Sequence, residues 1–202
     1  MDFILASKNR HKLVELSRIL SPLGVNIKLE SDLGITLPEV DETGTSFEEN
    51  AELKARSACE ASGLPAIADD SGMCVDGLDG APGVYSARFA GEDQNDEANI
   101  DKVLGLLKDA PEGSPERKAR FVSAICCCFP DGSKLTAEGV CEGEIALERH
   151  GYNGFGYDPI FLCGDLSFAE MTDEQKDKIS HRGVALRKFA VIIKDYLGDT
   201  KC

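Results

Sequence analysis

Two adjacent acidic side chains, Asp69 and Asp70, follow the short apolar run Ala66-Ile67-Ala68 and lead into Ser71-Gly72. A hard divalent cation takes carboxylate oxygens of this kind, and a carboxylate can also orient or deprotonate water. Neighbouring carboxylates usually point in different directions, so one can face a cleft while the other receives hydrogen bonds. Asp70-Ser71-Gly72 can equally be a tight turn, but charge placed beside a buried strand has a desolvation cost to explain. A second group, Ser7-Lys8-Asn9-Arg10-His11-Lys12, stands between Phe3-Ile4-Leu5-Ala6 and a run in which Leu13, Leu16, Ile19 and Leu20 recur at helical spacing. A helix start offers unpaired N–H groups and partial positive charge; Ser7 and Asn9 can donate hydrogen bonds, and Lys12 can neutralise a phosphate. The glycine-rich span and Gly-Lys-Ser/Thr ending of a Walker A loop are missing. The plain alternative is a solvated cap with surface lysines.

A third group is acidic: Glu39, Asp41 and Glu42, followed by Glu48, Glu49 and Glu52. Asn50 and Lys54 share one helical face there and could flank phosphate groups. The fourth joins Phe155-Gly156-Tyr157-Asp158 to Lys176 and Ser180-His181-Arg182-Gly183. Phe155 or Tyr157 could stack on a base, glycine permits close backbone approach, and Arg182 or His181 can donate to a purine carbonyl. A helix cap is the competing explanation for His181-Arg182. Three histidines without metal-ligand spacing argue against zinc.

The elements that must carry these groups follow from periodicity. Strands are expected over 3–6 and 25–29, with an acidic loop at 36–44 between the second strand and a helix over about 46–62. Ser46 and Glu49 have the spacing of a capping box for that helix, and Phe47, Ala51, Ala55, Ala58 and Cys59 form its apolar stripe. A short strand at 66–68 is expected to turn at 69–72, with Met73 to Val75 resuming the sheet. Gly77 to Gly83 reads as a shaped loop, 98–107 as a helix and 111–116 as a linker. Two long strands, 120–129 and 134–147, meet at Pro130-Asp131-Gly132. A strand at 160–162 and a terminal helix holding Val184, Leu186, Phe189, Ile192, Ile193 and Leu197 complete the pattern. The expected fold class is α/β, a mixed twisted sheet with flanking helices and an antiparallel arm.

A chain of 202 residues is near the size of one domain, or of two lobes sharing a sheet. The net charge of -14 argues against broad attraction to nucleic-acid backbones or anionic lipid, while leaving room for a small phosphorylated ligand with a divalent metal. Eight cysteines lack Cys-x-x-Cys spacing, and Cys126-Cys127-Cys128 reads as small buried side chains in a reducing compartment. Neither a signal segment nor a membrane span is expected, which places the protein in the cytoplasm.

Taken in register, several segments resemble the noncanonical purine nucleoside triphosphate pyrophosphatases, the inosine triphosphatase (Ham1-like) family. They are Ser7-x-Asn9-x-x-Lys12, Phe47-Glu48-Glu49-Asn50-Ala51-x-x-Lys54-Ala55, Ala68-Asp69-Asp70-Ser71-Gly72, Pro82-Gly83-x-Tyr85-Ser86-Ala87-Arg88, Gly154-Phe155-Gly156-Tyr157-Asp158-Pro159 and Ser180-His181-Arg182-Gly183. The resemblance covers residues 3 to 197. It implies a magnesium-dependent homodimer with two interleaved α/β lobes in one 1–202 domain around a central nucleotide cleft. The implied reaction is hydrolysis of ITP, dITP and XTP to the monophosphate and pyrophosphate. Carried over by position, Ser7, Lys8, Asn9, Arg10, His11 and Lys12 would hold the phosphate chain with help from Lys54. Asp70 would be catalytic and bind metal with Glu42 or Glu39, and Ser71 would touch substrate. Phe155, Gly156, Tyr157 and Asp158 would hold base and sugar, with Lys176, His181 and Arg182 completing base recognition. The loop 162–168 is shorter and less basic than the family's usual form. A pyrophosphatase for another modified nucleotide and a non-catalytic nucleotide-binding regulator are the competing functions.

Overall fold

The computed structural model describes residues 1–91 and 95–199; Cys202 lies outside the described residues. Seven strands are β1 (Asp2–Leu5), β2 (Asn26–Lys28), β3 (Ala66–Val75), β4 (Lys118–Cys128), β5 (Lys134–Ile145), β6 (Phe161–Cys163) and β7 (Leu166–Ser167). Six α-helices are α1 (Arg10–Leu20), α2 (Glu30–Leu33), α3 (Phe47–Ser62), α4 (Asp96–Leu106), α5 (Asp173–Ile179) and α6 (His181–Asp199). The strands hydrogen-bond in the order β2-β1-β3-β4-β5-β6-β7. The sheet is mixed: β1 runs parallel to β2 and β3, whereas β6 is antiparallel to β5 and β7. This is the α/β class expected. No helix among the described residues is long and apolar enough to cross a membrane.

The chain forms two compact units, one of residues 1–70, 123–139 and 182–202, the other of 71–122 and 140–181. In the first, side-chain alternation sends successive strand residues to opposite sheet faces. Phe3, Leu5, Ile67, Ile125 and Cys127 pack with Leu16 and Leu20 of α1 and with Leu186, Phe189 and Ile193 of α6. Ile4, Ala66, Ala68, Ala124, Cys126 and Cys128 face the other way, against Ala51, Ala55, Ala58 and Cys59 of α3. Cys126 and Cys128 are therefore buried against α3, and Cys127 is buried on the opposite face. In the second unit Met73, Val75, Phe121, Ile145, Phe161 and Phe168 build a separate core with Ile100 and Val103 of α4.

Several expectations need correction. Asp69 to Gly72 is not a turn: β3 runs unbroken from Ala66 to Val75. Ser46 does cap α3 by accepting from the Glu49 N–H, and the Glu49 carboxylate turns back to the Thr45 and Ser46 N–H groups. The segment at 160–162 starts as a 3-10 turn over Asp158–Ile160 before β6. The expected loop at 162–168 lies in the β6–β7 hairpin, with Phe168 opening a 3-10 turn, Phe168–Glu170, and 111–116 runs into a 3-10 turn, Pro115–Arg117.

Ala55 is fully buried between α3 and the sheet. Ala55→Leu should therefore overpack this contact and lower stability by about 1–3 kcal/mol, read as a lower urea midpoint with an unchanged slope.

Candidate functional site

The alternation that builds the first unit's two cores also separates the paired carboxylates. Asp69 falls on the face of Ile67, where α1 and α6 lie; Asp70 falls on the face of Ala68, where α3 lies. Each acid meets its own lysine. Asp69 Oδ2 is 2.8 Å from Lys12 Nζ and 3.1 Å from Arg182 Nη2, while Ser123 donates its hydroxyl to Asp69 Oδ1 at 2.6 Å. Arg182 also donates through Nη1 to Glu15 Oε2 at 2.7 Å. Asp69, Ser123 and Arg182 are all buried. Burial alone would raise the Asp69 carboxyl, but Arg182 and Lys12 outweigh it and hold Asp69 far below the usual carboxylate range. Asp69 is thus a permanent anion that fixes two cations.

On the opposite face, Lys54 Nζ lies 2.5 Å from Asp70 Oδ1 and 2.9 Å from Glu42 Oε1. It also sits 3.4 Å from the Asp69 carbonyl oxygen, which accepts from Lys12 Nζ at 3.1 Å. Burial pushes the Asp70 carboxyl up against the pull of Lys54. For Lys54, burial acts downward, but Asp70 and Glu42 together hold its pKa above the ordinary value. Glu42, rather than Glu39, shares a cation with Asp70. Glu39 lines a cavity of about 140 Å³ with Ser7, Lys8, Leu37 and the Lys54 side chain.

The acidic loop reaches this place because Asn50 anchors its end. Asn50 is buried in α3 and accepts from the Gly44 N–H at 2.8 Å, while its Nδ2 meets no hydrogen-bond partner among the described residues. A Cβ on Gly44 would come within 2.6 Å of the same Asn50 oxygen.

At the start of α1, Ser7 Oγ accepts from the Asn9 N–H, and Asn9 Oδ1 accepts from the N–H groups of His11 and Lys12. The helix cap therefore satisfies part of the donor set expected for phosphate. Lys8, Arg10 and His11 are exposed, and Lys12 turns back onto Asp69. Burial lowers the Lys12 pKa, with Asp69 opposing.

In the second unit, Asp158 Oδ2 accepts from the Phe155 N–H at 2.9 Å and from Lys176 Nζ at 2.6 Å. Asp158 and Lys176 are buried, and Lys176 Nζ lies 5.1 Å from the centre of the half-buried Phe155 ring. Gly154 has φ +81°, and a Cβ there would stand 1.9 Å from Asp158 Oδ2, so this bend needs glycine. Tyr157 does not face outward as a stacking residue. It lies in the core and donates its hydroxyl to the Ser86 carbonyl at 2.8 Å. Gly156 donates its N–H to Asp96 Oδ2, and Ser71 is half-buried in β3. His181 stacks on Phe121 with ring centres 4.6 Å apart. Sequence reasoning gave no role to Glu15 or Ser123, each of which serves through a partner distant in the chain; Ser86 stood in a quoted motif, but its pairing with Tyr157 is visible only in the fold.

Residues 3–192 match the Ham1 family. The dITP/XTP pyrophosphatase of Exiguobacterium sibiricum is 47% identical over 201 residues, covering 98% of this chain and 100% of the relative. Among solved structures, the Coxiella burnetii HAM1 protein superposes with a TM-score of 0.87 at 40% identity, covering 96% of this chain and 99% of that one. The Staphylococcus aureus Ham1 protein gives 0.85 at 39% identity, with 97% and 100% covered.

Removing one charge from a buried cluster leaves the others uncompensated. Asp69→Asn should cost about 3–5 kcal/mol of stability, measured by denaturant unfolding, with a much smaller loss in Asp70→Asn.

Proposed function

The chain belongs to the Ham1 family, and on that footing we propose that it hydrolyses dITP, ITP and XTP to the nucleoside monophosphate and pyrophosphate, removing deaminated purines from nucleotide pools. The observation that carries this reading is the placement of Asp70 and Glu42 about one lysine, beside the lysine-bearing start of α1. The full-length likeness to a relative named dITP/XTP pyrophosphatase supports it.

The two carboxylates fit magnesium. Each already turns an oxygen toward a common cation, and hard oxygen donors are what magnesium takes. Among the described residues no group of three His, Cys, Asp or Glu side chains could hold a metal. Water and substrate phosphates would supply the remaining positions, as is common for this ion. Glu42 is preferred over Glu39 as the partner of Asp70. Magnesium, when bound, offsets the charge on phosphate oxygens during the displacement.

In this reading Asp70 orients the attacking water, and Ser7 to Lys12 with Lys54 bind the phosphate chain. Ser71 contacts substrate beside Asp70. The Gly154–Asp158 bend, Lys176 and His181 serve the base and sugar, with Phe155 as the stacking ring. Arg182 completes base recognition in this reading, and its guanidinium, with five N–H donors, also serves as counter-ion to Asp69 and Glu15.

Hypoxanthine and xanthine carry an acceptor oxygen at carbon six where adenine carries an amino donor. A site donor left unpaired by adenine costs roughly 1–3 kcal/mol. Guanine shares the oxygen, so its rejection rests on its two-amino group. The same reading makes the protein a cytoplasmic homodimer that acts on free nucleotides and binds neither nucleic acid nor membrane.

An equal-concentration panel of ITP, dITP, XTP, ATP, GTP, CTP and UTP, with and without magnesium, tests the assignment by release of pyrophosphate and monophosphate. Metal-dependent release should concentrate on the three deaminated purines. Preference for another nucleotide would redirect the base assignment, and binding without products would favour a regulator. Folded Asp70→Asn should lose at least a hundredfold in kcat, the lower end of the usual effect of a positioned acid–base group being about 10²; near-normal turnover would remove Asp70 from the catalytic role.

A further inference from the structure

Lys54 occupies an unusual position for a residue expected to bind phosphate. Its side chain is 16% exposed, and its ammonium touches three oxygens supplied by different segments: Glu42 from the acidic loop, Asp70 from β3, and the Asp69 carbonyl. Two of those oxygens belong to carboxylates. Taking the ammonium away would remove the cation that Asp70 and Glu42 share. A tethered monovalent cation therefore fills the position that the charge of the two acids makes favourable for a free one.

The surroundings also give this side chain somewhere to go. Lys54 lines the cavity of about 140 Å³ that Ser7 and Lys8 border on the side of the α1 start. An ammonium leaving the carboxylates through that space reaches Ser7 and Lys8, both assigned to phosphate, past a wall that also carries Glu30 and Glu39, and its long flexible stem permits the movement.

We propose that Lys54 is an internal stand-in for the divalent cation: it holds Glu42 and Asp70 together in the ligand-free protein and yields its place when the cation enters. The displaced ammonium turns into the cavity beside Ser7 and Lys8 and becomes a phosphate donor. This rests on the reading of the protein as a metal-dependent nucleotide hydrolase and extends it. Cation entry and phosphate binding are then linked through one side chain, so each favours the other, and the linkage is reciprocal. A cation arriving without phosphate must part Lys54 from both carboxylates at once without the phosphate contact that would offset the loss, which keeps cation affinity low until substrate is present.

The test measures Mn²⁺ binding without nucleotide, from the paramagnetic resonance signal of the free ion, in the wild type, Lys54→Met and Lys54→Arg. Lys54→Met should bind Mn²⁺ at least tenfold more tightly than the wild type, and Lys54→Arg no more tightly. Equal or weaker binding by folded Lys54→Met would overturn the stand-in role while leaving the metal reading intact. Absence of Mn²⁺ binding in all three would also overturn the stand-in role, whereas the metal reading, in which substrate phosphates complete the coordination, falls only if the nucleotide panel shows no dependence on magnesium. If Lys54→Met fails to fold, the wild type supplies the answer through acylation of its lysines, quantified by mass spectrometry with exposed Lys118 as reference. Saturating Mg²⁺ should raise the Lys54 rate several-fold relative to Lys118; an unchanged rate would overturn the proposal.

Discussion

The two-residue period of β3 is the constraint on which the candidate site depends. Because the strand continues straight through Asp69 and Asp70, one carboxylate must point toward α1 and α6 and the other toward α3. A turn at the same residues would allow both acids to converge and repel. The strand instead assigns each acid a separate set of cations: Lys12 and Arg182 for Asp69, Lys54 for Asp70. The small residues of the second face follow from the same geometry. Alanines and cysteines between α3 and the sheet let the helix approach until Lys54 reaches the strand.

The two clusters feel each other's charge, Lys12 acting on Asp70 and Lys54 on Lys12, and are joined through the backbone. Both lysines donate to the carbonyl of Asp69, at 3.1 Å from Lys12 and 3.4 Å from Lys54. Motion of Lys54 therefore changes the partners of an oxygen that also holds Lys12, whereas the Asp69 side chain is fixed by Ser123 and Arg182. This divides the labour between a rigid buried anion and a more accessible pair of acids. It also explains why neighbouring residues of one type should respond differently to the same substitution.

Much of this was legible in the residues. The apolar stripe of α3, the long strands and the helix start after Phe3 to Ala6 follow hydrophobic period, and the motif order pointed to the correct family. The reading of Asp69 to Gly72 as a turn failed because local Asp-Ser-Gly composition favours turns, while pairing within the sheet decided the outcome. Helix α5 was invisible for a different reason: its sequence Asp173–Ile179 is almost wholly polar, and the signal was the cap, Thr172 with Gln175. Tyr157 looked like a stacking residue by type, but a buried hydroxyl needs an acceptor, and Ser86 provides one only in the folded chain. Choosing Glu42 over Glu39 likewise depends on how Asn50 ties down Gly44.

Buried cations in this protein fall into two chemical kinds, and the difference bears on which can move. Arg117 is buried and donates to the carbonyls of Leu107, Ala110, Ile145 and Ala146, so neutral dipoles satisfy its guanidinium. No incoming ion can claim those acceptors without breaking the backbone arrangement that presents them. Lys54 is held chiefly by carboxylates, whose preference for a divalent over a monovalent cation is electrostatic. Lys176 lies between these cases: a single carboxylate, Asp158, pairs with it, and that carboxylate is also committed to the Phe155 N–H. Among these three cations exchangeability thus follows acceptor type, with carbonyl-bound Arg117 fixed, Lys176 tied to a loop it helps shape, and Lys54 replaceable; Lys12 and Arg182, sharing the fully buried Asp69, are held by that anion's own fixed position.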